Sequence, residues 1–178
     1  MQTGVTQSVL EAYKSVITFT ECLMLRRHFL SLVGIGALAA ACSQSEAETI
    51  TPLKLSDAEW KKRLPADAYS VLRHEATERP GSSPLLNEHR KGVFACLGCD
   101  LPLFNSDTKF ESGTGWPSFF RAIPGHLQTK NDFAIGIPRT EYHCARCGGH
   151  QGHLFDDGPR PTGKRYCNNG VALKFIPA

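Results

Sequence analysis

The sequence has no apolar run long enough to cross a bilayer. Its main apolar stretch, Phe29 to Ala41, is 13 residues, against the ~20 that a membrane-spanning helix needs. It also has no large excess of one charge. The formal net charge is +3, and residues 1–42 hold Lys14, Arg26 and Arg27 against Glu11 and Glu21, leaving 17 basic and 15 acidic residues in the remainder. That near-balance, without a basic stripe, argues against nucleic acid as a partner. No internal repeat and no low-complexity tract is present. With 178 residues, 41% hydrophobic and 21% charged, the expectation is one soluble globular domain.

Cysteine, by contrast, is abundant, with seven residues. Four form two C-x-x-C pairs, Cys96/Cys99 and Cys144/Cys147, while Cys22, Cys42 and Cys167 are isolated. This pattern reads less as a disulfide framework than as a metal site plus special-purpose thiols. A knuckle turn aims both sulfurs of each pair at one ion, and four thiolates close a tetrahedral Zn²⁺ site at ~2.3 Å per bond. Gly98, Gly148 and Gly149 supply the permissive backbone of such turns. A catalytic zinc keeps a position open for water, so a four-cysteine site reads as structural. Such a site contributes ~10–16 kcal/mol in small motifs, as much as the ~5–15 kcal/mol that stabilises a whole domain. The rival reading is two disulfides formed in an oxidising compartment.

The N-terminus reads as an address. Arg26 and Arg27 precede the apolar run, which ends in small residues and Cys42, the pattern of a signal peptide over residues 24–42. A buried core helix is the bland alternative. Arg26-Arg27-His28-Phe29-Leu30 resembles a twin-arginine export motif, which suits a domain that binds metal before export. Leu38-Ala39-Ala40-Ala41-Cys42 resembles a lipoprotein cleavage box, with Ala39 where Leu is commoner. The expectation is a lipidated Cys42 on the periplasmic side of a bacterial membrane; the alternative is a soluble periplasmic protein. Because a complete signal begins at Met24, residues 1–23 read as an upstream extension foreign to the native protein.

Residues 43–55 read as a linker. Ser56 with Glu59 three residues on forms a capping box and predicts a helix that stops before Pro65. A second short helix is expected from about Asp67 to His74, then a turn-rich stretch, Pro80 to Pro84. Beyond Lys91 come short runs of β-formers broken by Gly, Pro, Asn and Asp: Val93–Cys96, Leu103–Phe104, Phe133–Ile137, Glu141–His143 and Val171–Ile176. They predict a mainly β, antiparallel domain.

Three ordered blocks follow: Ser112-Gly113-Thr114-Gly115-Trp116-Pro117-Ser118-Phe119, His150-Gln151-Gly152-His153-Leu154-Phe155-Asp156-Asp157-Gly158-Pro159 and Arg165-Tyr166-Cys167-Asn168-Asn169-Gly170. Together with the C-x-x-C pairs they resemble the B-type methionine sulfoxide reductases of the zinc-containing subgroup, over about Ser56 to Pro177. The resemblance implies two antiparallel β-sheets of the β-tent type with short N-terminal helices and a four-cysteine zinc knob, spanning residues 56–178. It implies Trp116, His150, His153, Asp157, Arg165, Cys167 and Asn169 as active-site positions, and the R epimer of protein-bound methionine sulfoxide as substrate.

The residue chemistry fits that implication. Cys167 is the thiol left over from the metal set, and Arg165 and nearby histidines can favour its thiolate, the reactive form. His150 or His153 can protonate a departing oxygen. Asn169 can hydrogen-bond a substrate oxygen or hold the histidines, Asp157 can orient, and Trp116 offers a wall to a methyl group. Many family members carry a resolving cysteine where Thr114 stands here. The expected cycle therefore uses one cysteine and an external thiol or thioredoxin-like reductant, with Cys42 as the alternative resolving thiol, in a monomer. Two other readings stay open: a zinc-ribbon interaction module, and a redox sensor that merely oxidises at Cys167.

Overall fold

The computed structural model describes residues 49–178. The upstream extension, the signal segment, Cys22 and Cys42 lie outside the described residues. Two short helices come first, α1 (Asp57–Arg63) and α2 (Ala66–His74). The Ser56–Glu59 capping box forms, and α1 ends ahead of Pro65, which cannot continue a helix hydrogen-bond ladder. α2 ends on Glu75 in the left-handed region, with φ of 56°. Among the described residues no helix is long and apolar enough to cross a membrane.

Nine strands follow: β1 (Gly92–Cys96), β2 (Pro102–Asn105), β3 (Lys109–Phe110), β4 (Ser118–Phe119), β5 (Leu127–Asp132), β6 (Arg139–Cys144), β7 (His150–Phe155), β8 (Arg165–Asn168) and β9 (Leu173–Pro177). They form two antiparallel sheets, one ordered β2-β1-β9 and one ordered β3-β4-β8-β7-β6-β5. The mainly β expectation holds. An aromatic core lies between the sheets: Phe104 stacks on Phe119 with centroids 4.1 Å apart, and Phe94 meets Phe119 edge-on at 4.9 Å. Tyr142 and Tyr166 close the cluster, 5.4 Å apart. Such pairs add ~0.5–1.5 kcal/mol each beyond area burial.

Several sequence expectations shift. Phe133–Ile137 is not a strand but the turn between β5 and β6; the strand is the more polar Leu127–Asp132 before it. Asp132 accepts from the Ala134 N–H at 2.8 Å and Gly136 takes φ of 76°, both turn features. Val171–Ile176 divides into a 3-10 turn, Gly170–Ala172, and then β9. Ile50, Leu53 and Leu55, in the stretch read as linker, pack against the core, and the Leu53 N–H donates to the Arg146 carbonyl at 2.7 Å.

Candidate active site

The six-stranded sheet has two unlike faces, because side chains alternate along each strand. Phe119, Tyr142, Leu154 and Tyr166 face the aromatic core. The opposite face carries one continuous row, set by register: Lys130 on β5 pairs with Glu141 on β6, Glu141 with His153 on β7, His153 with Cys167 on β8, and Cys167 with Ser118 on β4. Directly opposed residues in an antiparallel pair point to the same side, ~4.5–5.5 Å apart at Cβ. The thiol and one histidine are therefore cross-strand neighbours. Phe155 and Arg165, paired with each other, lie two residues along from them.

In a regular strand His150 and His153, three apart, would face opposite ways. A β-bulge in the β6–β7 pairing prevents this: Tyr142 pairs with Gly152 but His143 pairs with His150, leaving Gln151 extra. A bulge re-aims the side chains that follow it, and both imidazoles come to one face with ring centroids 5.5 Å apart. The bulged Gln151 turns inward and donates to the Cys96 sulfur at 3.4 Å.

Each histidine has a carboxylate partner that the sequence did not reveal. His153 Nε2 lies 2.7 Å from Asp132, which also accepts from Arg139 at 2.5 Å. The Ala134 N–H, His153 and Arg139 hold the Asp132 carboxyl well below the usual carboxylate range. An ionised Asp132 accepts from Nε2–H and leaves Nδ1 as the basic nitrogen of His153. Burial lowers the pKa of this imidazole, with Asp132 opposing. His150 is buried, with Nδ1 2.9 Å from the equally buried Glu141. That approach is off the line of a well-formed hydrogen bond, and Nε2 makes none. Glu141 is also 3.2 Å from Lys130.

Cys167 is partly buried and free. Burial pushes its thiol above the ordinary value, while the Arg165 charge and hydrogen bonds from Thr114 and Arg165 pull it down. The Arg165 charge acts in the expected direction, but desolvation outweighs it. Arg165 is itself fixed by a bidentate pair with Asp157, at 2.7 and 2.8 Å, and stacks over Phe155 at 4.2 Å. Asp157 thus orients the arginine. Thr114 belongs to a hydroxyl chain, 2.8 Å from Ser112 Oγ, which lies 2.7 Å from Ser118 Oγ.

Asn169 lies beside Gln151, the neighbour of His150, and makes no hydrogen bond to either imidazole. Its amide donates to the Gln151 carbonyl at 3.0 Å and accepts from the Glu78 N–H at 3.0 Å. Trp116 is held by its indole N–H on the Glu78 carbonyl at 3.2 Å. The Glu78 carboxylate accepts from the Gly170 and Val171 N–H groups at 2.6 and 3.0 Å. One residue of the segment after α2 thereby clamps the tryptophan and the loop behind Cys167.

Cys96, Cys99, Cys144 and Cys147 converge, with their sulfurs within 4.8 Å of one another. Tetrahedral thiolates at ~2.3 Å from a metal would stand ~3.8 Å apart; Cys96–Cys147 is 3.6 Å and Cys99–Cys144 is 3.4 Å. A disulfide needs ~2.05 Å, and all four are free. Donor type, number and spacing all fit a closed zinc site. Trp60 and Leu72 pack behind it, where a Cβ on Gly98 would lie 3.5 and 3.7 Å from them.

The SelR domain model matches residues 64–177. The chain belongs to this family, the B-type methionine sulfoxide reductases. It is 50% identical over 123 residues to the peptide methionine sulfoxide reductase MsrB of Agrobacterium fabrum, covering 68% of this chain and 91% of that protein. It is 53% identical over 121 residues to the MsrB of Methanosarcina barkeri, covering 67% and 85%. It is 52% identical over 131 residues to the chloroplastic peptide methionine sulfoxide reductase B1 of Arabidopsis thaliana, covering 73% and 65%. Within this SelR domain lie all the described sequence-predicted residues, together with four that sequence reasoning missed: Glu78, Lys130, Asp132 and Glu141. Each belongs to the site through pairing register or a contact made far along the chain. Glu141 does fall in an expected strand, Glu141–His143 within β6, and alternation could have suggested Asp132 as well, had β5 been placed at Leu127–Asp132.

Proposed function

We propose that the chain reduces methionine (R)-sulfoxide in oxidised proteins, with Cys167 as nucleophile. The observation that carries this reading is the β7–β8 register, which sets Cys167 directly across from His153 in a chain of this family. The Cys167 thiolate attacks the sulfoxide sulfur, and a proton from the His150–His153 pair, directly or through water, goes to the oxygen. The sulfur–oxygen bond breaks, the oxygen passes to Cys167, and methionine leaves with Cys167 as a sulfenic acid. Two external thiols then return Cys167 to the thiol, releasing water and a disulfide. Trp116 walls the methyl group, and Asp157 holds Arg165 beside the thiolate. Cys96, Cys99, Cys144 and Cys147 would hold zinc, which supplies stability and leaves no open position for chemistry.

With Thr114 at the position of the resolving cysteine, the cycle needs one cysteine and an external reductant of thiol or thioredoxin type. The sequence of residues 24–42 supports an exported protein, lipidated at Cys42, that repairs exported proteins, and we propose that it acts as a monomer. The test is turnover by the full chain of peptide-bound methionine sulfoxide, as separate R and S epimers, with dithiothreitol. Reduction of R alone, abolished by Cys167→Ser, is expected. No turnover of either epimer by folded, zinc-loaded protein would refute the reading in favour of an interaction module. Oxidation of Cys167 without turnover would favour a sensor. A Cys42–Cys167 disulfide in the oxidised protein would overturn the one-cysteine cycle.

A further inference from the structure

Among the described residues the large apolar side chains that stand exposed are Phe133, Ile135 and Ile137, at 65%, 61% and 63%. All three lie in the turn between β5 and β6. Scattered single exposed apolar residues are ordinary, but three within five positions form a patch. The base of this hairpin belongs to the candidate active site. Asp132 before it holds His153 at 2.7 Å, and Arg139 after it holds Asp132 at 2.5 Å. The patch is thereby anchored at the histidine that faces Cys167.

Resting on the proposed reduction of protein-bound methionine sulfoxide, we infer that the Phe133–Ile137 hairpin docks the apolar residues flanking the oxidised methionine of a substrate polypeptide. The occupant follows from position and charge. The hairpin base touches His153, which pairs directly with Cys167, so residues flanking a sulfoxide held at Cys167 come within reach of the hairpin. Residues 133–138 carry no charge, and the nearest cations are already paired, Arg139 with Asp132 and Lys130 with Glu75 and Glu141. Anionic lipid and acidic peptide therefore find no free partner there. Methionine is itself an apolar core residue, so the segments that carry it are rich in apolar neighbours, and they reach an enzyme only when the substrate is unfolded or locally open.

The test compares the full chain with a Phe133→Ser/Ile135→Ser/Ile137→Ser variant. Three substrates are used: N-acetyl-methionine (R)-sulfoxide amide, a peptide with leucine and valine flanking the sulfoxide, and one with serine and glycine flanking it. In the wild-type chain kcat/KM for the apolar-flanked peptide should exceed the serine-flanked value about tenfold, the effect of burying roughly 60 Å² of apolar surface. In the variant that ratio should fall to about one, with the melting temperature held because the replaced side chains are exposed. An undiminished ratio in the variant overturns the inference. If the wild-type chain turns over none of the three, the proposed reduction fails instead. The hairpin is then judged by fluorescence anisotropy of the apolar-flanked peptide on Cys167→Ser protein: weaker binding after the triple substitution supports docking, and equal binding overturns it. Dimerisation, or binding to neutral phosphatidylcholine vesicles, that disappears in the variant without any change in peptide preference also overturns it.

Discussion

Gly152→Ala is the substitution that most directly probes how the site is built. Gly152 sits on the core face of β7, opposite Tyr142 on β6 and Asn168 on β8. A Cβ there would lie 1.9 Å from the Cys167 carbonyl oxygen, 3.0 Å from its carbon and 3.2 Å from the Asn168 Cα. These are backbone atoms, so no side chain can swing aside. Strands β7 and β8 would have to part by roughly 1 Å before the contact became tolerable. Overpacking of this kind costs ~1–3 kcal/mol, and at roughly 4 °C per kcal/mol for a domain of this size the melting temperature should fall by about 4–12 °C. The functional loss should be larger in proportion. The same two strands carry the proposed nucleophile Cys167 and the proposed acid His153 as direct neighbours, and a displacement of ~1 Å between such groups costs ~100-fold. Thermal unfolding by circular dichroism and kcat/KM on a peptide substrate measure the two effects. A variant that melts within about 2 °C of wild type and keeps kcat/KM within about threefold would show that the β7–β8 pairing is not the frame of the site.

Two further outcomes follow from the four-cysteine cluster and from Cys167. Extracting the metal with a strong chelator should abolish cooperative unfolding, since a structural zinc contributes about as much as a domain's total stability. One zinc per chain by elemental analysis and four chelator-released thiols are expected, whereas a metal-free protein with an unchanged melting curve would refute the closed site. For Cys167, burial raises the thiol pKa and Arg165 lowers it, so the rate should climb with pH as the thiolate forms and level off only above the ordinary thiol pKa. Arg165→Ala removes the lowering influence and frees Asp157, which raises the thiol further. The profile should move to higher pH, with the deficit greatest at neutral pH and shrinking in alkali, and Arg165→Lys should recover part of it. A profile that keeps its midpoint would show that Arg165 does not act through the thiolate.

Local chemistry determined much of this protein. The Ser56–Glu59 capping box, the stop at Pro65, the two C-x-x-C pairs and the blocks around Trp116, His153 and Cys167 are short-range patterns, and each signals its role within a few residues. The convergence of the four cysteines and the family were legible for that reason. Tertiary structure decided what depends on strands finding one another. Phe133–Ile137 has the composition of a strand, yet it forms a turn, because the pairing of Leu127–Asp132 with Arg139–Cys144 places it at the bend. His150 and His153 share a face only through a bulge defined by the partner strand. Asp132, Glu141 and Glu78 reach the site across pairings or contacts that no local pattern encodes. The balance at Cys167 was also beyond the sequence: the charge of Arg165 is written in its letter, but desolvation is set by everything packed around the sulfur, and here it is the larger of the two.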